Sequence, residues 1–241
     1  MRIAIIPARG GSKRIKNKNI ADFLGKPLIS YALEAVKESC LFDVIHVSTD
    51  SEEIRTVVEE LGYKVDFMRS KELADDHIGL MPVLKWVVEK YRGMGILFDD
   101  ICCIMPAAPL LATSDLIDGF NLYDKNNRAN PLLVVAPFPV PIEWAFYRDE
   151  NTHLIPKDVN SLTTRSQDIK PAFYEAGPFS IHHYSHIQDE DILKNLSYLS
   201  LLINKSRAVD IDDPDDLELA KILYLGRKAL KDYKDVPKVN L

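Results

Sequence analysis

An apolar strand that runs straight into a glycine-rich basic loop constrains this chain more than any other feature. Ile3 to Ile6 reads as a buried strand; Pro7-Ala8-Arg9-Gly10-Gly11-Ser12-Lys13-Arg14 follows, then Lys16-Asn17-Lys18-Asn19. Adjacent glycines let several backbone N–H groups converge on one point, and Arg9, Lys13 and Lys18 can neutralise a polyphosphate held there. In an open α/β sheet the loop leaving the first strand lies at the carboxyl edge, where ligands bind. The segment is therefore expected to hold a nucleoside triphosphate. Two commoner phosphate motifs do not fit. A P-loop needs an earlier glycine and Gly-Lys in sequence, whereas Ser12 separates Gly11 from Lys13; the Gly10-Gly11 pair also lacks the spacing of a dinucleotide fingerprint. A solvated basic turn is the other reading, and it leaves the proline and paired glycines directly after a buried strand unexplained.

Strand and helix patterns alternate after this loop. Helices are expected at about Leu28 to Ser39, Glu52 to Leu61, Met81 to Tyr91 and Ser114 to Tyr123, the last capped by Thr113 or Ser114. Strands are expected at Val44–Ser48, near Val65–Phe67, at Ile101–Met105 and at Leu132–Ala136. This rhythm predicts an α/β fold with a mostly parallel, doubly wound sheet. Between Pro137 and Tyr174 it breaks, with Pro137, Pro139, Pro141, Pro156 and Pro171 as punctuation. That stretch is either an irregular excursion over the site or a small β-rich insertion used for dimer contact. The core resumes with Phe179–His182, a helix near Asp189–Leu202, a strand at Ala208–Ile211 and a last helix from Asp215 to about Tyr233. Residues 1–241 thus read as one domain carrying an inserted segment at about 137–175.

The net charge of −6 on 241 residues argues against a general nucleic-acid binder, so the local basic loop points to a small anionic ligand. Three cysteines, two of them the neighbours Cys102 and Cys103 on opposite faces of a strand, suit buried thiols and a reducing cytoplasm. Met1-Arg2-Ile3 opens directly on the fold, so no leader is expected, and no apolar run approaches membrane-spanning length.

Asp210-Ile211-Asp212 is the second signal. On a strand these carboxylates share a face, and Mg²⁺ commonly takes one or two carboxylates plus substrate phosphates. Asp213 and Asp215 are expected only to cap the last helix, and Thr49-Asp50 to close a strand. His182-His183-Tyr184-Ser185-His186 has no spacing suited to zinc. Trp86 is expected in core packing.

The basic loop resembles the N-terminal signature of sugar-activating cytidylyltransferases, especially those that make CMP-nonulosonates such as CMP-sialic acid. The resemblance continues through Phe23-Leu24-Gly25-Lys26-Pro27-Leu28-Ile29, Val47-Ser48-Thr49-Asp50 and Arg69-Ser70-Lys71-Glu72-Leu73-Ala74-Asp75. It implies a Rossmann-like nucleotidyltransferase in which the anomeric hydroxyl of a nine-carbon sugar acid attacks the α-phosphorus of CTP, with Mg²⁺ as cofactor. Ala8, Gly10, Gly11, Ser12, Lys18, Asn19 and Arg69 are then the expected nucleotide contacts. Lys13, Arg9 and Asp212 would be catalytic, with Asp210 and Asp212 as metal ligands. His77 departs from the Ser or Thr that relatives often carry near the base.

For the sugar, Arg165 offers a fork for the C1 carboxylate, beside Gln167, with Gly177 and Phe179 against the ring. Arg165-Ser166-Gln167-Asp168 and Ala176-Gly177 with Phe179 resemble the pseudaminic acid branch, from which Pro178 and Ser180 depart. Met105 and Ala176 are apolar where sialate enzymes usually place Gln and Asn. A pocket of Met105, Phe179 and Trp144 or Phe146 is expected to accept the terminal methyl of a 9-deoxy sugar. The alternatives are a legionaminate, sialate or ketodeoxyoctonate enzyme, a nucleotide-binding regulator on the same fold, and an oxidoreductase. A homodimer through residues 137–170 is implied by the resemblance.

Overall fold

The computed structural model describes residues 1–75, 78–188 and 197–234. Its strands are β1 (Arg2–Pro7), β2 (Asp22–Phe23), β3 (Lys26–Pro27), β4 (Val44–Ser48), β5 (Asp100–Ile104), β6 (Leu132–Pro137), β7 (Phe146–Arg148), β8 (Leu154–Pro156), β9 (Phe173–His183) and β10 (Leu199–Leu202). Helices are α1 (Leu28–Ser39), α2 (Glu52–Glu60), α3 (Leu80–Gly93), α4 (Thr113–Lys125) and α5 (Pro214–Lys234). Six strands form one sheet in the order β10-β6-β9-β5-β1-β4. Its pairs are parallel except that β9 runs antiparallel to both β5 and β6.

Alternation along β1 explains the layering. Ala4 and Ile6 pack with residues of α1, α2 and α4 on one face, whereas Ile3 and Ile5 pack with α3 on the other. A strand buried on both faces is a continuous apolar run, as here. Cys102 and Cys103 divide between the same two clusters, both buried. Ser51 caps α2 by accepting from Ile54 N–H at 3.4 Å, and Glu52 and Glu53 follow in the first turn, where the helix dipole favours anions.

Several expectations need correction. Residues 65–67 are not a strand; Val65 and Phe67 instead pack into the two core clusters. The α4 cap is Ala112, whose N–H is bonded by Asp115 at 3.0 Å, so neither Thr113 nor Ser114 caps it. Residues 189–196 of the expected helix lie outside the described residues, and Leu199–Leu202 form a strand against β6. Residues 208–213 are a loop rather than a strand. Between β6 and β9, the segment of many prolines holds the short antiparallel pair β7–β8 and two 3-10 turns.

Two buried histidines give the fold an acid limit. Burial pushes His46 down to about 4, where its ring meets the Tyr91 hydroxyl at 3.2 Å. His182 is likewise pushed down to about 4 by burial, with His186 adding to the effect. Between pH 6.5 and 4 the unfolded chain binds these protons and the folded chain does not, so stability falls as pH falls. We expect roughly 2 kcal/mol lost per histidine between pH 7 and pH 5. Urea unfolding at the two pH values measures it, and equal stabilities would contradict neutral buried rings.

Candidate active site

The carboxyl ends of β1 and β5 open onto a cleft of about 400 Å³. Arg9, Ser12, Lys13, Arg14, Lys18 and Asn19 line it from the first loop, Arg69 and Leu73 from the segment after α2, Met105 to Ala107 from the end of β5, and Asp210 and Asp212 from the loop before α5. Parts of the chain two hundred residues apart thus face one space, as the two sequence signals require.

The loop is held open by specific contacts. Gly10 N–H donates to Asp50 Oδ1 at 3.0 Å, and the Asn19 amide donates to the Arg9 carbonyl at 3.0 Å. Gly10 and Asn19 therefore shape the loop, rather than offering these donors to phosphate. Ala8 is fully buried, its N–H donating to the Ser48 carbonyl, and forms no wall of the cleft. A Cβ on Gly10 would come within 2.9 Å of Ser51 Cβ, while one on Gly11 would meet nothing within 4 Å. We expect Gly10→Ala to lower kcat/KM for CTP at least about tenfold, since a displaced loop loses alignment, and Gly11→Ala to be tolerated. Steady-state kinetics of the two variants check this, and equal effects would contradict the packing argument.

Asp210 and Asp212 flank Ile211, which is fully buried in a cluster with Phe23, Leu28 and Tyr31. That anchor presents both carboxylates to the cleft from a loop, so the shared-face expectation holds without a strand. Asp216 Oδ2 accepts from the N–H groups of Asp212 and Asp213, and Asp213 Oδ1 accepts from those of Asp215 and Asp216, fixing the loop to the start of α5. Asp213 is thus the expected cap, and Asp215 lies in the first turn. Lys18 Nζ donates to the Ile211 carbonyl at 2.6 Å and reaches Asp212 at 3.4 Å, and Arg14 pairs with Asp212 at 2.8 Å.

The two carboxylates differ electrostatically. Burial acts to raise Asp212, but the Arg14 hydrogen bond and the Lys18 charge outweigh it and hold the group below the usual range. Asp210 opens on the cleft, yet partial enclosure by its walls and then the Asp212 charge push it up. Arg69 is nearly buried; its guanidinium donates to the Ser48 hydroxyl at 3.0 Å, and burial lowers its pKa.

Met105 and Gly177 lie in the wall of a side pocket of about 20 Å³, which also includes Asp210 and Arg207. The other residues expected against the sugar fall elsewhere. Phe179 is core: its ring packs on Gly119 of α4, where an added Cβ would come within 3.0 Å. Arg165 and Gln167 are exposed at a 3-10 turn and line neither space, and neither the half-buried Trp144 nor the exposed Phe146 of β7 lines either. His77 is outside the described residues. Trp86 packs edge-on against Phe67, as expected of core. Among the described residues no three His, Cys, Asp or Glu side chains converge on one point.

Arg14 and Arg207 were given no role from sequence, and Asp50 was expected only to close a strand. Arg14 was legible as part of the same cation run, whereas Asp50 and Arg207 become visible only when distant loops meet.

The sequence profile of the cytidylyltransferase family matches residues 3–231. The chain is 38% identical over 222 residues to a pseudaminic acid cytidylyltransferase from Campylobacter jejuni, covering 92% of this chain and 95% of that one. It is 29% identical over 236 residues to the CMP-N,N'-diacetyllegionaminic acid synthase of Legionella pneumophila, covering 95% and 98%. A solved CMP:2-keto-3-deoxy-manno-octonic acid synthetase, complexed with CTP, superposes with a TM-score of 0.71 at 16% identity, covering 94% of this chain and 99% of that one. That likeness concerns the fold.

Proposed function

We infer, from this chain belonging to the cytidylyltransferase family, that it transfers a cytidylyl group from CTP to pseudaminic acid and releases pyrophosphate. The observation that carries the reading is the meeting of the phosphate-loop cations with Asp210 and Asp212 across one cleft, joined through Lys18.

The residues divide the work. Arg9 and Lys13 face the space where the triphosphate charge would lie, and phosphoryl transfer needs positioning and charge neutralisation more than a covalent nucleophile. Lys18 and Arg14 orient Asp212, and Ile211 fixes the spacing of the two carboxylates. Asp210 and Asp212 suit Mg²⁺: both are hard oxygen donors that line one cleft on either side of the buried Ile211. When bound, the ion would neutralise charge developing on the phosphates. Arg69, fixed by Ser48, would approach the nucleotide from the segment after α2.

A homodimer is part of the same reading. Phe138, Val140, Phe146, Tyr147, Leu154 and Ile155 are exposed on the segment between β6 and β9, an apolar concentration that favours a partner surface. A monomeric mass in solution at assay concentrations would remove this element. No helix among the described residues is long and apolar enough to cross a membrane, and we place the reaction in the cytoplasm, where CTP is made. Pyrophosphate release from CTP with a panel of sugar acids tests the whole reading, and none with any acid would overturn it.

A further inference from the structure

Asp50 stands just beyond the end of β4 and forms no wall of the cleft. It does not cap the helix that follows, because Ser51 does. Its half-buried carboxylate reaches instead to the first loop, where Oδ1 accepts from the Gly10 N–H at 3.0 Å. A backbone donor bonded to a carboxylate is a charge-assisted pair, stronger than a neutral one.

The same turn also holds Arg69. The Ser48 hydroxyl accepts from Arg69 Nε at 3.0 Å and the Ser48 carbonyl from Nη2, while the Arg69 N–H donates to the Thr49 carbonyl at 2.7 Å. That Ser48 carbonyl accepts in addition from the Ala8 N–H at 2.9 Å, at the root of the basic loop. Charge follows the contacts. Burial lowers the pKa of Arg69 most, Asp50 acts against that, and Arg9 adds to it. A buried guanidinium close to a second one is costly unless an anion offsets it, and Asp50 is the foremost anion acting on Arg69. Residues Ser48 to Asp50 therefore grip the basic loop and Arg69 at once.

We propose that Asp50 is a positioning residue that locks the Gly10–Gly11 turn to Arg69, so that one nucleotide meets the basic loop and Arg69 in a fixed register. This rests on the reading above that the cleft holds CTP. Groups that touch a substrate are only as well placed as the neighbours that fix them, and a misplacement of about 1 Å can cost about 10²-fold in rate.

Asp50→Ala and Asp50→Asn test it, each through steady-state kinetics with both substrates and calorimetric titration with CTP, which needs no turnover. Asn keeps an acceptor for the Gly10 N–H and loses the charge. We expect Asp50→Ala to lower kcat/KM for CTP about 10²-fold and Asp50→Asn about tenfold, with CTP affinity weakened in both. The KM for the sugar acid should stay within about threefold, a selectivity that general loosening would not preserve. Losses in a cycle of Asp50→Asn with Arg69→Lys should fall well short of additive. The near-isosteric Asn variant carries the comparison if the Ala variant does not fold. Wild-type CTP kinetics in Asp50→Asn, equal rises in the two KM values, or an additive cycle would each overturn the assignment while leaving cytidylyl transfer standing. Wild-type protein that neither binds CTP nor turns it over would overturn the parent reading, and this inference with it.

Discussion

Asp210→Asn and Asp212→Asn are each expected to lower turnover at least about 10³-fold, equivalent to about 4 kcal/mol of transition-state stabilisation, without unfolding the chain. Both side chains face the cleft from a loop whose position depends on buried Ile211 and on backbone contacts to Asp216. The two variants test different things. Asp212 also anchors Arg14 and Lys18, so its loss loosens the cation loop; Asp210 has no ion pair within 4 Å among the described residues. If charge in the cleft is what matters, Asp210→Asn should be as damaging as Asp212→Asn. Circular dichroism establishes folding and pyrophosphate release measures turnover. A folded Asp210→Asn protein with near-normal rates at ordinary Mg²⁺ would remove these carboxylates from the chemistry.

Lys13→Ala is expected to cost about 10² to 10³ in kcat, with a smaller rise in the KM for CTP. A cation aimed at phosphate matters most as the phosphate charge redistributes, so its loss falls on the chemical step rather than on ground-state binding. Lys13 faces the cleft beside Arg9 and Ser12. Rates at varied CTP separate the possibilities: unchanged kinetics would make the loop a surface turn, and a rise in KM alone would make Lys13 a binding group.

The basic-loop side of the cleft was legible because it is local. A buried apolar run, two glycines and a row of cations occupy consecutive positions, and their convergence follows from the geometry of a strand-to-loop exit. Asp210 and Asp212 were legible for a related reason, since alternation about a buried residue works in a loop once Ile211 is anchored. The side expected to meet the sugar was not. Phe179 was expected against the ring, but its side chain faces Gly119 of α4, a choice made by packing across the sheet. Arg207 becomes interpretable only through Asp115, 92 residues earlier, and no short-range pattern records that pairing.

The fold divides similarly. Strands and helices with strong periodicity lie where their patterns put them, α1 and β4 to the residue. The strand expected at 65–67, which does not form, and the strand, not helix, at Leu199–Leu202 are short apolar runs of ambiguous period, where tertiary pairing decides. The antiparallel sense of β9 is a long-range outcome of the excursion that precedes it, since that segment ends at the carboxyl edge of the sheet.

Side-by-side kcat/KM values for pseudaminic, legionaminic and N-acetylneuraminic acid, each with CTP and followed by pyrophosphate release, test the assignment most directly. Met105 and Ala107 give the cleft an apolar wall and Ala176 borders the side pocket, so the site offers little to the extra hydroxyl of a sialic acid tail. An apolar wall rejects an added hydroxyl by only about 10²-fold, which sets the scale of the expected preference. The predicted order is pseudaminic, then legionaminic, then N-acetylneuraminic acid. N-acetylneuraminic acid as the best of the three would contradict it.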